Sequence, residues 1–261
     1  MNLDDVRLVA FDLDDTLAPS KSPLPARMRE LLARLTSVLP VAVISGGDFS
    51  QFRRQLVDEL AADPVTRLDR LHLLPACGTQ YYRWTEDEWR PVYAELLAAE
   101  ERSRIAATLR DGAVELGLWE TETWGPVVED RASQVTFSAL GQEAPVDVKA
   151  RWDPDGSRRA RLRELVAPRL PGFEVRVGGS TSVDVTRAGI DKAYGLRRLA
   201  EHTGIPLAEM AFVGDQLQPG GNDHPVLGLG ARVVAVRSWT DTADLLAAAL
   251  PTATRDHTLS I

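Results

Sequence analysis

Two carboxylates stand directly after an apolar stretch near the start of the chain. Residues 6–11 are largely apolar, and Asp12 and Asp14 follow them. Carboxylate oxygens suit a hard divalent cation such as Mg²⁺, and a carboxylate can also attack phosphorus to form a covalent intermediate. By itself, the Asp-x-Asp pattern is equally compatible with a solvated acidic turn. Its meaning therefore depends on the partners that the rest of the chain supplies.

Candidate partners follow other apolar runs and a long middle region. They are Ser45, Gly46, Lys192, Asp215, Asn222 and Asp223. A lysine, together with hydroxyl or backbone donors, can hold the oxygens of a transferring phosphate. Mg²⁺ offsets the repulsion between an attacking carboxylate and an anionic phosphate. This combination of residue types predicts phosphoryl transfer through an aspartyl-phosphate.

The apolar runs that precede these residues are predicted to be buried parallel strands, since such sheets are covered on both faces. The runs lie at 6–11, 40–44, 71–76, 210–215 and 231–236. Intervening helical patterns give a βαβαβ order and predict right-handed crossovers. Because ligands bind at the carboxyl ends of such strands, we expect the polar residues to converge there. Asp48 is predicted to cap the helix after the second strand, and His72 to be a core histidine.

The middle region has a different pattern. A helical stretch at about 93–118 precedes strand-like alternation at 127–140, a helix near 162–166 and strands at 173–177 and 182–185. Helices and antiparallel strands segregated in this way indicate an α+β unit. We predict a Rossmann-like, doubly wound α/β core domain of residues 1–83 and 188–261, with a cap domain of residues 84–187 inserted into it. The active-site crevice is expected between the two.

Composition narrows the class of partner. The 261-residue chain carries a net charge of −8 and has a pI near 5.1, which argues against a nucleic-acid or anionic-membrane surface. Cys77 is the single cysteine, so an intramolecular disulfide is excluded. No apolar run reaches the roughly 18 residues of a membrane span, and no signal-peptide pattern is present. We therefore expect a cytoplasmic protein with a small-molecule substrate.

The chemical signals resemble the four motifs of the haloacid dehalogenase superfamily of phosphohydrolases and phosphomutases. The motif segments are residues 12–16 (Asp-Leu-Asp-Asp-Thr), 45–47 (Ser-Gly-Gly), Lys192, and 214–215 with 222–223. The inserted region lies between the second and third motifs, which is the position of a type-2 cap in subclass IIB. The resemblance thus implies the same core-and-cap fold as the pattern of elements predicts.

The resemblance also implies a role for each motif residue. Asp12 would be the nucleophile and a Mg²⁺ ligand, and Asp14 the general acid/base whose backbone carbonyl also binds the metal. Ser45, Gly46 and Lys192 would bind the transferring phosphate. The remaining implied metal ligands are Asp215, Asn222 and Asp223, although Asp223 could instead orient Asp215 or a metal-bound water.

Three stretches resemble the eukaryotic-type phosphomannomutase family more closely. They are residues 45–56, 178–192 and 214–224, and the last contains a Pro-Gly-Gly insertion that the usual superfamily loop lacks. The resemblance implies that two copies pair through their caps. It also implies substrate contacts in the cap, although Ser182 and Asp184 could be polar merely because one face of their strand is exposed. The implied cap contacts are Arg131, Gln142, Lys149, Ser182 and Asp184.

The cap departs from that family at positions that serve the distal phosphate. The family has an arginine eleven residues after Arg131, where this chain has the neutral Gln142, and Lys149 replaces another arginine. A mutase must retain a bisphosphorylated intermediate, and the loss of a bidentate clamp weakens that hold. We therefore predict a Mg²⁺-dependent phosphatase acting on a small phosphorylated metabolite, a sugar phosphate. The alternatives are a phosphomannomutase-type hexose phosphate mutase and a non-catalytic metabolite-binding protein.

Overall fold

A seven-stranded sheet forms the core of the protein. The computed structural model describes residues 3–250, so residues 1–2 and 251–261 of the predicted core segments lie outside the described range. In spatial order the strands are β11 (Arg232–Ala235), β10 (Met210–Gly214), β1 (Leu8–Phe11), β2 (Val41–Ile44), β3 (Leu71–Leu74), β4 (Gln80–Thr85) and β5 (Glu88–Ala94). The first five pair in parallel, and β4 and β5 extend the edge in antiparallel fashion. The predicted parallel core is confirmed.

Helices cover both faces of this sheet, since successive residues of a strand point to opposite sides. The core helices are α1 (Ala26–Val38), α2 (Phe49–Phe52), α3 (Asp58–Ala61), α7 (Lys192–Thr203) and α8 (Trp239–Ala249). Val9 and Phe11 pack in one apolar cluster with α1, α3 and α8, whereas Leu8 and Ala10 pack with α7 on the other face. A π-turn at Arg53–Val57 joins α2 to α3.

The inserted cap has an antiparallel sheet and an apolar core of its own. Its strands, in spatial order, are β6 (Val128–Asp130), β7 (Val135–Ser138), β9 (Ser182–Arg187) and β8 (Phe173–Gly178). Ile105 and Leu109 pack against Phe137 and Val183 in the interior of the cap. Its helices are α4 (Ala99–Glu115), α5 (Val146–Trp152) and α6 (Ser157–Val166). The predicted α+β insert is confirmed.

Two details of the predicted boundaries are wrong. The proposed division between residues 83 and 84 falls inside β4, and the core sheet continues to Ala94. The predicted helix at 93–118 begins later, at Ala99. The reason is that β5 is a mostly exposed edge strand, so its sequence lacks the alternation that marks a half-buried strand.

His72 is a core histidine, as predicted. It lies on β3 with 4% of its surface exposed, and its Nδ1 is 2.7 Å from the hydroxyl oxygen of Tyr81. Burial, together with the nearby charge of Arg83, lowers the pKa of His72 to about 3. Its ring is therefore neutral in the folded protein at ordinary pH. No helix within residues 3–250 is long and apolar enough to cross a lipid bilayer.

Candidate active site

Two adjacent strands bring the first pair of acidic residues together. β1 pairs with β10 in the register Phe11 opposite Val213, and the backbone N–H of Asp12 donates to the Val213 carbonyl at 3.0 Å. Asp12 therefore leaves the sheet beside Asp215. One carboxylate oxygen from each of Asp12, Asp215 and Asp223 lies within 4.8 Å of the other two. The structure thus brings together three of the predicted metal-binding residues.

Lys192 stands at the first turn of α7 and points into this acidic cluster. The helix begins after Asp191, whose carboxylate accepts a hydrogen bond from the Tyr194 N–H at 2.8 Å. The Lys192 ammonium nitrogen lies 2.6 Å from an Asp12 oxygen and 2.6 Å from an Asp223 oxygen. It also donates to the Asn222 side-chain oxygen at 3.2 Å. With 1% of its surface exposed, Lys192 is held by charge pairing rather than by water.

The electrostatics of the cluster favour a bound cation. Burial raises the pKa of Asp12, the charge of Lys192 opposes that rise, and the neighbouring Asp223 adds to it. Burial lowers the pKa of Lys192, but Asp12 and Asp223 outweigh this effect and raise it. One ammonium thus faces three carboxylates, which leaves an excess of negative charge among oxygen donors. That donor set suits Mg²⁺, a hard cation that binds through one or two carboxylates together with water and phosphate oxygens.

Neighbouring groups fix the orientation of the two later carboxylates. Thr16 donates its hydroxyl proton to Asp215 at 3.1 Å, and the Gln216 side-chain amide donates to the other Asp215 oxygen at 2.8 Å. Asp223 is fully buried, and both of its oxygens are occupied, one by Lys192 and one by the Gln216 backbone N–H at 2.9 Å. A Cβ on Gly214 would lie 2.5 Å from Asp223, so glycine there makes room for this carboxylate. Asp223 therefore positions Lys192 while facing the cluster.

Asp14 points away from the acidic cluster and toward a lysine. The Lys21 ammonium lies 2.9 Å from one Asp14 oxygen, and the Lys21 backbone N–H donates to the other at 2.7 Å. Gln55 and Gln51 also donate to this carboxylate, at 3.2 and 3.3 Å. Burial favours a raised pKa, but Lys21 and these hydrogen bonds prevail and lower the pKa of Asp14 to about 2. Asp14 is therefore ionised near neutral pH, which is the form that can accept a proton.

The glutamines that hold Asp14 come from the helix after the second motif, and sequence reasoning missed them. Asp48 caps this helix as predicted, accepting from the Gln51 N–H at 2.7 Å. Gln51 and Gln55 are also bonded to each other across the π-turn. Single-turn π-helices occur frequently at functional sites. A sequence signal existed, since two glutamines four residues apart share one face of a helix that starts at the phosphate-binding loop.

The second motif forms the floor of the site under the cap. Ser45 is buried at the end of β2, and its hydroxyl oxygen accepts from the Gly47 N–H at 3.3 Å. The carbonyl oxygen of Gly46 accepts two hydrogen bonds from the cap, from Arg131 at 2.8 Å and from Gln134 at 3.2 Å. The second motif, which is the candidate phosphate-binding loop, is thus in direct contact with the cap.

The other predicted cap residues lie around the same region. The Lys149 ammonium donates to the backbone carbonyl of Gln142 at 2.6 Å. Burial and the charge of Lys21 lower the pKa of Lys149, so the ammonium lies within electrostatic reach of the core. Asp184 accepts from a threonine hydroxyl at 2.7 Å. Ser182 lies two residues before Asp184 on β9, on the same face of the cap sheet.

A cleft of about 440 Å³ opens between core and cap next to Asp14. Arg131 lines it with 8% of its surface exposed, and Glu129 pairs with its guanidinium at 2.8 Å. A more open groove at residues 66–69 and 84–87 contains none of the candidate site residues. The cleft is the better substrate site, because two predicted cap contacts, Arg131 and Gln142, line it together with the three side chains that bind Asp14. The residues that line the cleft are Lys21, Pro23, Asp48, Ser50, Gln51, Arg54, Gln55, Glu129, Arg131, Gln142 and Glu143.

Comparison with known proteins agrees with this geometry. The family model for eukaryotic phosphomannomutase matches residues 28–250. Phosphomannomutase of Saccharomyces cerevisiae is 27% identical over 246 residues, which cover 92% of each chain. The probable phosphomannomutase of Caenorhabditis elegans is 25% identical over 226 residues, which cover 84% of this chain and 85% of the other.

Solved structures with low sequence identity share the fold. An N-terminally truncated IMP-nucleotidase of Plasmodium falciparum superposes with a TM-score of 0.69 at 14% identity, over 95% of this chain and 71% of that one. A haloacid dehalogenase-like hydrolase from Bacteroides thetaiotaomicron gives 0.61 at 18% identity, over 93% and 99%. The protein therefore shares its fold with these two structures. Because the family match extends through the cap and most of the core, the chain belongs to the eukaryotic phosphomannomutase family.

Proposed function

We propose that this protein is a Mg²⁺-dependent phosphotransferase of the phosphomannomutase type, which interconverts hexose 1- and 6-phosphates through an aspartyl-phosphate on Asp12. The observation that carries the proposal is the buried acidic cluster with Lys192 at 2.6 Å from Asp12, closed over by a cap that brings its own cations. A carboxylate nucleophile needs such compensation before it can approach a phosphate. Relatives named as phosphomannomutases support the same assignment.

The aspartyl-phosphate forms when Asp12 attacks one phosphorus of the bisphosphorylated sugar. The bond from an Asp12 oxygen to phosphorus forms as the bond from phosphorus to the sugar oxygen breaks. Lys192 is placed to hold oxygens of the transferring group. Mg²⁺, held by Asp12 and Asp215 with the nearby oxygens of the cluster, would offset the negative charge of the phosphate. Asp12 thereby carries the phosphoryl group between two sugar oxygens.

Asp14 handles the proton in each half of the cycle. Ionised Asp14 accepts the proton of the sugar hydroxyl that attacks the aspartyl-phosphate. In the other half-reaction it returns this proton to the sugar oxygen that leaves. This role is supported by its contacts with Lys21, Gln51 and Gln55, which also line the cleft.

A phosphatase is the second candidate, and one observation weighs on the choice. A phosphatase is favoured because Gln142 stands where the family has an arginine. In the structure the Lys149 ammonium contacts the Gln142 carbonyl, so a cation stands beside that position, although a lysine lacks the arginine fork. Together with the named relatives, this contact favours the mutase.

A coupled assay separates the candidates. Purified protein with Mg²⁺ is given mannose 1-phosphate and a catalytic amount of hexose 1,6-bisphosphate, and mannose 6-phosphate and free phosphate are measured in parallel. Conversion that outpaces phosphate release supports the mutase. Phosphate release without conversion assigns a phosphatase instead. Absence of both products, with no binding of Mg²⁺, would point to a non-catalytic metabolite-binding protein.

A further inference from the structure

The turn between β6 and β7 of the cap is buried and polar, and it packs against the core. The Ser133 hydroxyl accepts from Thr79 at 2.7 Å and from the Gln80 side chain at 3.0 Å. The Leu97 N–H donates to the carbonyl of Ala132, the residue at the tip of the turn, at 2.9 Å. Two of these donors, Thr79 and Gln80, lie at the start of β4 in the core, and Leu97 lies in the link between β5 and α4. The turn therefore fixes the position of the cap over the site.

Gln134, the last residue of this turn, connects two parts of the candidate site. Its amide nitrogen donates to the Gly46 carbonyl at 3.2 Å and to the Thr136 hydroxyl oxygen at 2.9 Å. Thr136 in turn donates its hydroxyl proton to Asp184 at 2.7 Å. Gln134 and Thr136 are each 1% exposed. A continuous hydrogen-bonded chain thus runs from the phosphate-binding loop of the core to Asp184 in the cap.

The surroundings of Asp184 leave one of its oxygens close to the phosphate-binding loop. A Cβ on Gly178 would lie 2.4 Å from Oδ2 of Asp184, so the carboxylate occupies space that a side chain would fill. The same oxygen is about 4.0 Å from the Cβ position of Gly46. Thr136 binds the other oxygen, Oδ1. Asp184 Oδ2 can therefore accept a hydrogen bond from a substrate hydroxyl while Oδ1 is held by the chain.

We propose that Gln134 is a positioning residue that couples docking of the cap on Gly46 to the orientation of Asp184 toward the sugar. The inference rests on the proposed function insofar as the substrate is a sugar phosphate. Gln134 contacts none of Asp12, Lys192 and Asp215 through its side chain in the described contacts. Its removal should therefore impair substrates that depend on the cap and spare small phosphate esters that need only the catalytic cluster.

The test compares two substrates on matched variants. Gln134→Leu removes both donated bonds at nearly constant volume. Thr136→Val removes the hydroxyl that joins Gln134 to Asp184 but leaves the bond from Gln134 to the Gly46 carbonyl. Ser138→Ala, which also removes a buried hydroxyl from β7, is the control because Ser138 lies outside the chain. For each protein, kcat and KM are measured with a hexose phosphate and with p-nitrophenyl phosphate, and the midpoint of thermal unfolding is recorded.

Gln134→Leu and Thr136→Val are expected to lower kcat/KM for the hexose phosphate roughly tenfold to hundredfold, since each leaves buried polar groups unpaired. The aryl phosphate should change by no more than about twofold, and Ser138→Ala should resemble wild type with both substrates. Equal losses on both substrates, or no loss on the hexose phosphate, overturn the inference. Thr136→Val keeps the test decisive if Gln134→Leu fails to fold.

The outcomes also separate this inference from the proposed function. A wild-type protein that only releases phosphate from the hexose phosphate contradicts the mutase assignment, yet the ratio between substrates still tests Gln134. A wild-type protein that turns over the aryl phosphate and no sugar phosphate contradicts both.

Discussion

Replacing Lys192 by methionine should leave two buried carboxylates without a compensating positive charge. Lys192 contacts Asp12 and Asp223 at 2.6 Å each, and both acids are almost fully buried. Breaking a buried ion pair by removing one partner costs about 3–5 kcal/mol, because the remaining charge is left uncompensated. We expect a loss of that size in the free energy of unfolding, a large part of the roughly 5–15 kcal/mol available to a typical domain.

A second substitution should restore part of this loss. The double variant Lys192→Met/Asp223→Asn lacks one of the two uncompensated charges. Its free energy of unfolding should therefore be larger than that of Lys192→Met. The two changes should therefore be strongly non-additive. Mg²⁺ should also reduce the loss in the free energy of unfolding of Lys192→Met, because it supplies positive charge among the same carboxylates. Turnover should fall about 10²–10³-fold in both variants, the size of effect seen when one preorganised donor is lost.

The measurement is urea unfolding followed by circular dichroism, with Mg²⁺ present and with Mg²⁺ chelated. Lys149→Met is the matched control, since this buried lysine contacts the neutral carbonyl of Gln142 rather than a carboxylate. Its loss should be smaller, near the roughly 1.5–3 kcal/mol of a hydrogen bond that involves one charged group. If Lys192→Met lost no more stability than Lys149→Met, or if the double variant were the less stable of the two, the reasoning would be refuted.

Three further predictions concern single residues. Asp12→Asn should abolish acid-stable labelling of the protein by a ³²P-labelled substrate; retained label would place the nucleophile elsewhere. Gly195→Ala should lower stability by about 1–3 kcal/mol in thermal unfolding, because the added Cβ would lie 2.7 Å from the Cys77 carbonyl oxygen; an unchanged midpoint contradicts this. For His72, the folded pKa of about 3 lies below the unfolded value of about 6.5, so its contribution to stability is complete above pH 6.5 and declines as the pH falls, by about 2 kcal/mol at pH 5. His72→Gln should lose this pH dependence in urea unfolding, whereas the control His202→Gln should keep it.

Part of the candidate cluster could be predicted from sequence because Asp12 and Asp215 directly follow buried parallel strands. Apolar runs before Asp12 and Asp215 require burial on both faces, and parallel pairing brings their carboxyl ends to one edge. Strand order and chain direction are enough to bring these two residues together. Lys192 is identified by its motif alone, and the structure shows that it reaches the cluster from the first turn of α7.

The surroundings of Asp14 could not be predicted in the same way. Lys21 lies in a loop, and its backbone adopts a positive φ of 58° that the sequence does not require of a lysine. Gln51 and Gln55 reach Asp14 from a helix that contains a π-turn. Local sequence propensities do not predict such a turn. Polar residues on a helix surface usually contact solvent, so their contact with Asp14 is not expected from the sequence.

The choice between phosphatase and mutase shows a similar limit. The sequence shows the loss of an arginine at Gln142, but not that the Lys149 ammonium bonds to the Gln142 backbone. The contact involves a carbonyl group, which every residue type offers. The preference for a phosphatase depends on the identity of one side chain. In the structure, however, the backbone carbonyl at the same position binds a cation.

The pairing of β1 with β10 has a consequence for synthesis of the chain. β1 is complete at Phe11, whereas its neighbour β10 begins at Met210, about 200 residues later. At a ribosomal rate of about 5–20 residues per second, the backbone hydrogen-bonding groups on one edge of β1 remain without their partner strand for roughly 10–40 s. A nascent chain interrupted anywhere in the cap lacks Asp215 and exposes this edge to other strands. Release of the folded protein and completion of its acidic cluster therefore depend on the same late pairing event.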